Sequence, residues 1–430
     1  MEGKMRRVFI VDGARTPFLK SRNRPGPFSA SDLATAAGTG LLCRQRFAPD
    51  QLDEVILGCA SPSPDEVNIG RVVALRMGCG HRVPGWTVMR NCASGMQALD
   101  SALVNIRLGR SELVLAGGVD ALSRAPVLFS DAMVHFLADW YAAKGIAARL
   151  AVLRRFRPGH LAPVLGIMKG LTDPIVGQLM GQTAENLAHF FDIARDDMDR
   201  FAVESHLRVV AAQDGGHFAE VLPLIDRDGK VYEFDDGVRR DSSEENLARL
   251  KPFFDRKYGR VTPGNSSQIS DGAAWLVLAS EAALERHGLV PLGEIIDSQW
   301  AALDPAQMGL GPIHAMTPIM SRQGLSLADI DRFEINEAFA AQVIACRRAW
   351  DDEVYCREHF GLDQPVGMID TGRLNVDGGA IALGHPVGAS GARIVLHLLA
   401  SLRRDGLRRG LAGICIGGGQ GGAMLVETMR

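Results

Sequence analysis

Apolar positions along the chain fall into two alternating periodicities. Short, continuous apolar runs bounded by Gly, Pro or charged residues read as buried strands: Arg7 to Asp12, Glu54 to Gly58, Trp86 to Arg90 and Leu113 to Gly117. Between them, Asp32 to Cys43 and Arg71 to Met77 occupy the helical places. Beyond Arg90 the apolar residues Met96, Leu99, Ala102 and Leu103 share one stripe, which predicts a helix starting at or near Cys92. The last third repeats the alternation, with a strand from Gly293 to Gln299, a helix from Ile313 to Arg322, a strand from Arg332 to Ile335 and a helix from Glu337. A further helix runs from the Gly384-His385-Pro386 turn to Leu402, and Leu411 to Ile416 with Ala423 to Glu427 reads as a closing hairpin. Apolar strands alternating with helices predict an α/β protein with a mostly parallel sheet covered on both faces.

At 430 residues, 47% hydrophobic and 23% charged, the chain is long enough for two or three domains with substantial cores. A formal net charge of -3 gives no reason to expect nucleic acid as a partner. The seven cysteines (Cys43, Cys59, Cys79, Cys92, Cys346, Cys356 and Cys415) are odd in number and contain no Cys-x-x-Cys pair. That pattern argues against a disulfide framework and against a zinc site, so no metal is expected and a reducing compartment is. Lys4, Arg6 and Arg7 precede an apolar run too short for a signal peptide or a membrane span, and no later run reaches eighteen apolar residues. The expected location is cytoplasmic.

Between the two alternating regions, from about Ala121 to Leu250, the composition changes. From Arg124 to Lys169 seven cations (Arg124, Lys144, Arg149, Arg154, Arg155, Arg157 and Lys169) face two anions, Asp131 and Asp139, for a balance of +5. Phe129, Phe136, Trp140, Tyr141 and Phe156 are interleaved with them. Such a stretch lies on an anionic membrane, docks a partner helix, guides an anionic substrate, or is a solvated hairpin on its own domain.

Cys92 at a helix N-terminus stands where unpaired N–H groups favour thiolate, the form a nucleophile needs. Burial as inert packing is the competing reading. Three later stretches add chemistry: Glu334-Ile335-Asn336-Glu337-Ala338-Phe339, Gly378-Gly379-Ala380-Ile381-Ala382-Leu383-Gly384-His385-Pro386-Val387-Gly388, and Ile414-Cys415-Ile416-Gly417-Gly418-Gly419. Cysteine, histidine, a second cysteine and asparagine in glycine-bound turns are the parts of an acyl-transfer site: nucleophile, base, proton donor and oxyanion support. Spacing alone does not bring them together. A dinucleotide-loop reading of Gly417 to Gly422 fails because no long helix follows.

These segments, in this order, together with Val8-Phe9-Ile10-Val11-Asp12-Gly13-Ala14-Arg15-Thr16-Pro17 at the start, resemble the thiolase family (3-ketoacyl-CoA thiolases and acetyl-CoA C-acetyltransferases) over nearly the whole chain. The resemblance implies the thiolase fold: two related βαβαβαββ halves in a five-layered α-β-α-β-α arrangement with an inserted loop domain. The divisions are 1–120 with 251–291 for the N-terminal thiolase domain, 121–250 for the insertion, and 292–430 for the C-terminal domain. The long insertion resembles the beta subunits of fatty-acid oxidation complexes and of the mitochondrial trifunctional protein. Two positions depart from that branch or its short-chain cousins: Asn336, where those beta subunits usually carry His, and Leu179, where acetoacetyl-specific thiolases tend to carry His.

The resemblance further implies thiolytic cleavage of 3-ketoacyl-coenzyme A, or the reverse condensation, by ping-pong chemistry through an acyl thioester on Cys92. His385 is the implied base and Cys415 the implied proton donor. One oxyanion site is implied at His385 with a water held by Asn336, the other at the backbone N–H groups of Cys92 and Gly417. Coenzyme A is a substrate and no bound cofactor is implied; Ser267 and Gly264 are its implied contacts. Implied partners are acyl-CoA, a second copy in a homodimer or homotetramer and a hydratase/dehydrogenase alpha subunit, and the composition of 124–169 adds a membrane surface as a further candidate. A biosynthetic acetoacetyl-CoA thiolase, a ketoacyl synthase of the same fold and a non-catalytic acyl-CoA or lipid carrier are the alternatives. The ketoacyl synthases use histidine where Cys415 stands, and a carrier has no reason to keep all four groups.

Overall fold

The computed structural model describes residues 6–22 and 24–429; Lys4 lies outside them. The first half runs β1 (Phe9–Arg15), α1 (Ala30–Leu42), β2 (Glu54–Gly58), α2 (Ile69–Arg76), β3 (Gly85–Val88), α3 (Ser94–Arg107) and β4 (Leu113–Ala121). An insertion containing α4 (Asp131–Ala142), α5 (Ile146–Leu153), α6 (Met180–Phe190) and α7 (Arg195–Asp214) follows, before β5 (Ser270–Ala279) closes the half. The second half runs β6 (Gly293–Ala302), α8 (Gly311–Gln323), β7 (Arg332–Ile335), α9 (Ala340–Asp351), α10 (Val387–Arg404), β8 (Arg409–Ile416) and β9 (Gln420–Thr428).

The strands lie in the order β7-β8-β9-β6-β1-β5-β4-β2-β3, with the two-residue strand Leu19–Lys20 pairing beside β5. The two halves meet edge to edge through a short ladder that pairs Phe9 with Glu294 and Ile10 with Gly293. The expectation of a mostly parallel sheet is corrected here. Parallel ladders occupy the flanks, β4-β2-β3 and β7-β8, while the central ladders are antiparallel. A helical crossover brings a strand back parallel, whereas the short turn after β8 allows only an antiparallel return. The two halves also differ in their third strand. Where the first half has β3, the second has a single parallel bridge from Phe333 to Leu374.

Five layers result. Helices α1 and α2 cover one face of the first half-sheet, α3 and α10 pack against each other between the half-sheets, and α8, with α9 beside it, covers the far face of the second. Helix α10 lies at the centre, with fourteen of its eighteen residues buried, as a helix enclosed by two sheets must be. The stripe anticipated on α3 is buried: Met96, Leu99, Ala102 and Leu103 pack with Ile394, Leu398 and Ile414. Each aliphatic side chain fully buried this way contributes about 1.5–3 kcal/mol. Helix α1 opens on a capping box in which Ser29 and Asp32 exchange side-chain and backbone hydrogen bonds of 3.0 and 3.1 Å.

The helix expected from Glu337 begins three residues later, at Ala340. Residues 337–339 stay outside the helix because Ser266 pairs with Phe339 and because the buried Glu337 carboxylate accepts from Ser205 Oγ (2.6 Å), Asn375 Nδ2 (2.8 Å) and Ile381 N–H (3.2 Å). In the insertion, α4 and α5 form a hairpin in which no residue is buried. It packs on itself through Phe136, Phe156 and His160 and the 2.9 Å Arg155–Asp139 ion pair, leaving Tyr141 and Ile146 more than four-fifths exposed. Among the described residues, no helix is long and apolar enough to cross a membrane.

Candidate active site

The starts of α3 and α10 meet the end of β8 at the middle of the molecule. Gly95, Gly118 and Gly388 make the approach possible: a Cβ on Gly95 would stand 2.7 Å from the Gly388 carbonyl oxygen, inside any contact two atoms tolerate. Cys92 sits in a 3₁₀ turn, Asn91–Ala93, that leads into α3. The turn is fixed by Ser94 Oγ, which accepts from Arg90 N–H (2.9 Å) and donates to Asn91 O (2.8 Å). Asn91 adopts a left-handed backbone (φ 42°), and its side-chain amide donates to Gly417 O at 2.9 Å, tying the turn to the β8–β9 connection.

Cys92 is half-buried, and the structure corrects the expectation of a thiolate favoured by the helix start. Enclosure by protein pushes its thiol up; hydrogen bonding from the backbone of Gly417 and of Cys92 itself opposes this without overcoming it. The resting group is a thiol that needs a base.

His385 is buried and lies one residue before the Pro386 cap of α10. Its Nδ1 lies 2.6 Å from Ser390 Oγ, and that hydroxyl donates its only proton to Pro386 O at 3.0 Å. Ser390 therefore accepts from Nδ1–H, which leaves Nε2 as the unprotonated nitrogen. Nε2 is buried and has no hydrogen-bond partner among the described residues. Burial, with a smaller contribution from Arg393, lowers the imidazole to about 4, so it is neutral at physiological pH.

Asn336 follows β7 and is held through its backbone, N–H to Gly413 O at 2.9 Å. On one side the Asn375 side chain bonds both backbone groups of Ile335 at 2.9 Å; on the other stands the anchored Glu337. The Asn336 side chain is buried, and neither Oδ1 nor Nδ2 is paired among the described residues. Each unpaired polar atom in a buried site costs about 1–3 kcal/mol, so their concentration here marks a binding site. Cys415, near the end of β8, is buried, and its thiol is pushed well above the ordinary range, first by burial and then by the nearby Cys92. Gly418 and Gly419 have φ of 92° and 71°, and this left-handed turn aims the Gly417 backbone at Cys92.

Cys92, Cys415 and Gly417 lie close together, His385 stands just before α10, whose start packs on the Cys92 turn, and Asn336 is bonded to β8 two residues before Cys415. Ser267 is half-buried nearby, its N–H donating to Ala338 O at 2.9 Å. Gly264 is buried under Leu247 and Leu250, one turn behind. Leu179 caps α6, and the next residue, Met180, overlies Gly417: a Cβ there would stand 3.1 Å from its sulfur. Asn91, Ser390 and Met180 were missed by sequence reasoning. Only Asn91, next to Cys92, carried a local signal, since asparagine tolerates the left-handed turn. No group of His, Cys, Asp and Glu among the described residues is arranged to hold a metal ion.

Comparison with known proteins gives a consistent picture. The N-terminal domain model of the thiolases matches residues 8–282 and the C-terminal domain model residues 289–428. The mitochondrial trifunctional enzyme subunit beta of Rattus norvegicus is 35% identical over 425 residues, covering 99% of this chain and 89% of that protein. A 3-ketoacyl-CoA thiolase of Yersinia enterocolitica is 35% identical, with 98% and 97% covered. The human mitochondrial 3-ketoacyl-CoA thiolase, solved in complex with CoA, superposes with a TM-score of 0.84 at 34% identity over 99% of this chain and 98% of that one.

Proposed function

The chain belongs to the thiolase family, and on that premise we propose that it cleaves 3-ketoacyl-coenzyme A with coenzyme A to acetyl-coenzyme A and a shortened acyl-coenzyme A, in fatty-acid β-oxidation. The observation that carries this reading is the unpaired, unprotonated Nε2 of buried His385 in a site with two thiols. In the first half-reaction the Cys92 sulfur attacks the 3-keto carbon and its proton passes to His385 Nε2. Collapse of the alkoxide breaks the bond between carbons 2 and 3. The electron pair leaves as the enolate of acetyl-coenzyme A, which takes a proton from Cys415. In the second half, the thiol of incoming coenzyme A gives its proton to the Cys415 thiolate and attacks the Cys92 thioester, and His385 returns its proton to the departing Cys92 sulfur.

Each half develops negative charge on a carbonyl oxygen. The backbone N–H groups of Cys92 and Gly417 serve one; Nε2–H of protonated His385, with a water held by Asn336, serves the other. The pantetheine of coenzyme A passes Ser267, with Gly264 shaping the turn beneath it, and the insertion 121–250 contributes the rest of the substrate surface. Leu179 in place of a polar residue favours acyl chains longer than acetoacetyl.

A homodimer through the β3 edge fits the half-buried state of all four β3 residues, which pair on one side only. The segment 124–169, which carries the α4–α5 hairpin, a charge balance of +5 and exposed Phe129, Tyr141 and Ile146, fits an anionic membrane surface, and a hydratase/dehydrogenase alpha subunit is the other docking partner. Free cysteines throughout suit a reducing compartment such as the cytoplasm.

The test is a thiolysis assay on 3-ketoacyl-coenzyme A of several chain lengths, for wild type and Cys92→Ala. Turnover lost in the variant, with an acyl mass on Cys92 in the wild type, is the expected result. Intact acyl-coenzyme A binding without turnover at any length would favour a carrier. Deleting 124–169 should abolish binding to anionic vesicles; unchanged binding would sink the docking assignment.

A further inference from the structure

Asp120, one residue from the end of β4, is fully buried and forms no ion pair among the described residues. Its two oxygens take four donors. Oδ1 accepts from Ser61 N–H at 2.9 Å and from the Cys59 thiol at 3.3 Å; Oδ2 accepts from Gly388 N–H at 2.5 Å and Ala60 N–H at 3.4 Å. Four donors and no acceptor match only an ionised carboxylate, because an amide would turn its own N–H groups against two of them. Burial raises the carboxyl to about 6 while these donors hold it down, so it is ionised at neutral pH.

Gly388 is the second residue of α10, and the cap residue of that helix, Pro386, makes no side-chain cap bond. Asp120 supplies the missing acceptor from a strand 268 positions away. A carboxylate at a helix start satisfies an orphan N–H and meets the positive end of the helix. His385 precedes the capped residue by three positions and Ser390, which fixes the imidazole tautomer, follows it by two. Gly118, two residues before Asp120, touches the Gly388 carbonyl and the Gly95 backbone of α3, so β4 contacts both helix starts at one point.

We propose that Asp120 is a positioning residue whose carboxylate caps α10 from the adjoining strand β4 and so holds the His385 imidazole in register with Cys92. The inference rests on the reading of Cys92 and His385 as nucleophile and base. Asp120→Asn leaves the shape nearly unchanged and reverses two hydrogen bonds, and Asp120→Glu keeps the charge but lengthens the reach. Displacement of a base by about an ångström costs on the order of a hundredfold in rate.

The experiment measures kcat, KM for coenzyme A, and the rate at which iodoacetamide alkylates Cys92 between pH 5 and 9, in wild type and both variants, with folding followed by circular dichroism. The expected result is a kcat and an alkylation rate at pH 7 lowered at least about tenfold in Asp120→Asn, an altered pH profile, KM within about threefold, and partial recovery in Asp120→Glu. Unchanged alkylation and kcat in a folded Asp120→Asn overturns the proposal, as does a parallel loss of KM and kcat. Should Asp120→Asn not fold, Asp120→Glu decides by the same readouts, and failure of both to fold assigns Asp120 to stability alone and overturns it. Alkylation needs no substrate: a wild type without thiolysis but with Asp120-dependent alkylation would sink the proposed reaction and leave the positioning role standing.

Discussion

Arg393 Nη1 lies 2.5 Å from Glu334 Oε1, and both side chains are almost fully buried. The pair joins α10, which begins beside His385, to β7, which ends one residue before Asn336. Two segments carrying the unpaired groups of the site are thereby held at a fixed separation.

Removing one member of this pair leaves an uncompensated buried charge. Arg393→Met is expected to cost about 3–5 kcal/mol of stability, and Arg393→Met with Glu334→Leu much less; urea denaturation of the three proteins measures both. Arg393 also helps to hold the His385 imidazole down. The single variant that retains its fold should therefore show the acid limb of Cys92 alkylation moved to higher pH.

Ser390 is expected to act through the tautomer. Ser390→Ala removes the acceptor of His385 Nδ1–H, so the proton is free to occupy Nε2, where it blocks the base. A fall in kcat of at least about tenfold is expected, with little change in melting temperature. Nitrogen NMR of labelled histidine reports the tautomer directly.

His397 on α10 bridges Glu220 of the insertion (2.9 Å) and Asp377 of the second half (3.1 Å), beside the Arg15–Asp235 pair. Despite its burial, these carboxylates raise the imidazole to about 9, and Glu220 falls to about 2, with His397 and Arg15 as its partners. A raised histidine stabilises fully below its ordinary value near 6.5, and that contribution is lost as pH rises through 9. The lowered Glu220 stabilises above its ordinary value near 4.5 and loses its contribution as pH falls towards 2. The clasp is thus strongest between about pH 4.5 and 6.5. The unfolding free energy should fall from pH 6.5 to 9 by roughly 3 kcal/mol in wild type and stay flatter in His397→Leu, which is less stable at pH 6.5; urea denaturation measures both.

Gly118→Ala is expected to fail as soluble protein. Its Cβ would coincide with the Gly388 carbonyl, which is backbone and cannot move without shifting α10. In Gly417→Ala the nearest neighbour is the flexible Met180 sulfur at 3.1 Å, with Asn91 Nδ2 at an ordinary 3.8 Å, so it should fold and change KM more than stability. Expression yield and acyl-chain-length profiles separate the two outcomes.

Much of this was legible along the chain. Strand β7 has the bounds its apolar run indicated, α3 buries the stripe read from Met96, Leu99, Ala102 and Leu103, and the closing hairpin pairs as expected. Local periodicity reports such features because each residue's face follows from its position in a helix or strand. The non-helical stretch before α9 was not legible, because its competitor is a set of bonds from Ser205, Asn375 and Ile381 to Glu337.

The sequence by itself determined the elements, their alternation and the residues proposed for the chemistry: Cys92, His385, Asn336 and Cys415. Only the tertiary structure decided their states. Cys92 rests as a thiol because burial outweighs the helix start, His385 presents Nε2 because Ser390 donates its one proton to Pro386, and α10 is capped by Asp120 from strand β4. The division has one physical reason. Backbone conformation is set largely by near neighbours, whereas desolvation and hydrogen-bond partners belong to whatever the folded chain places alongside, here up to 268 residues away.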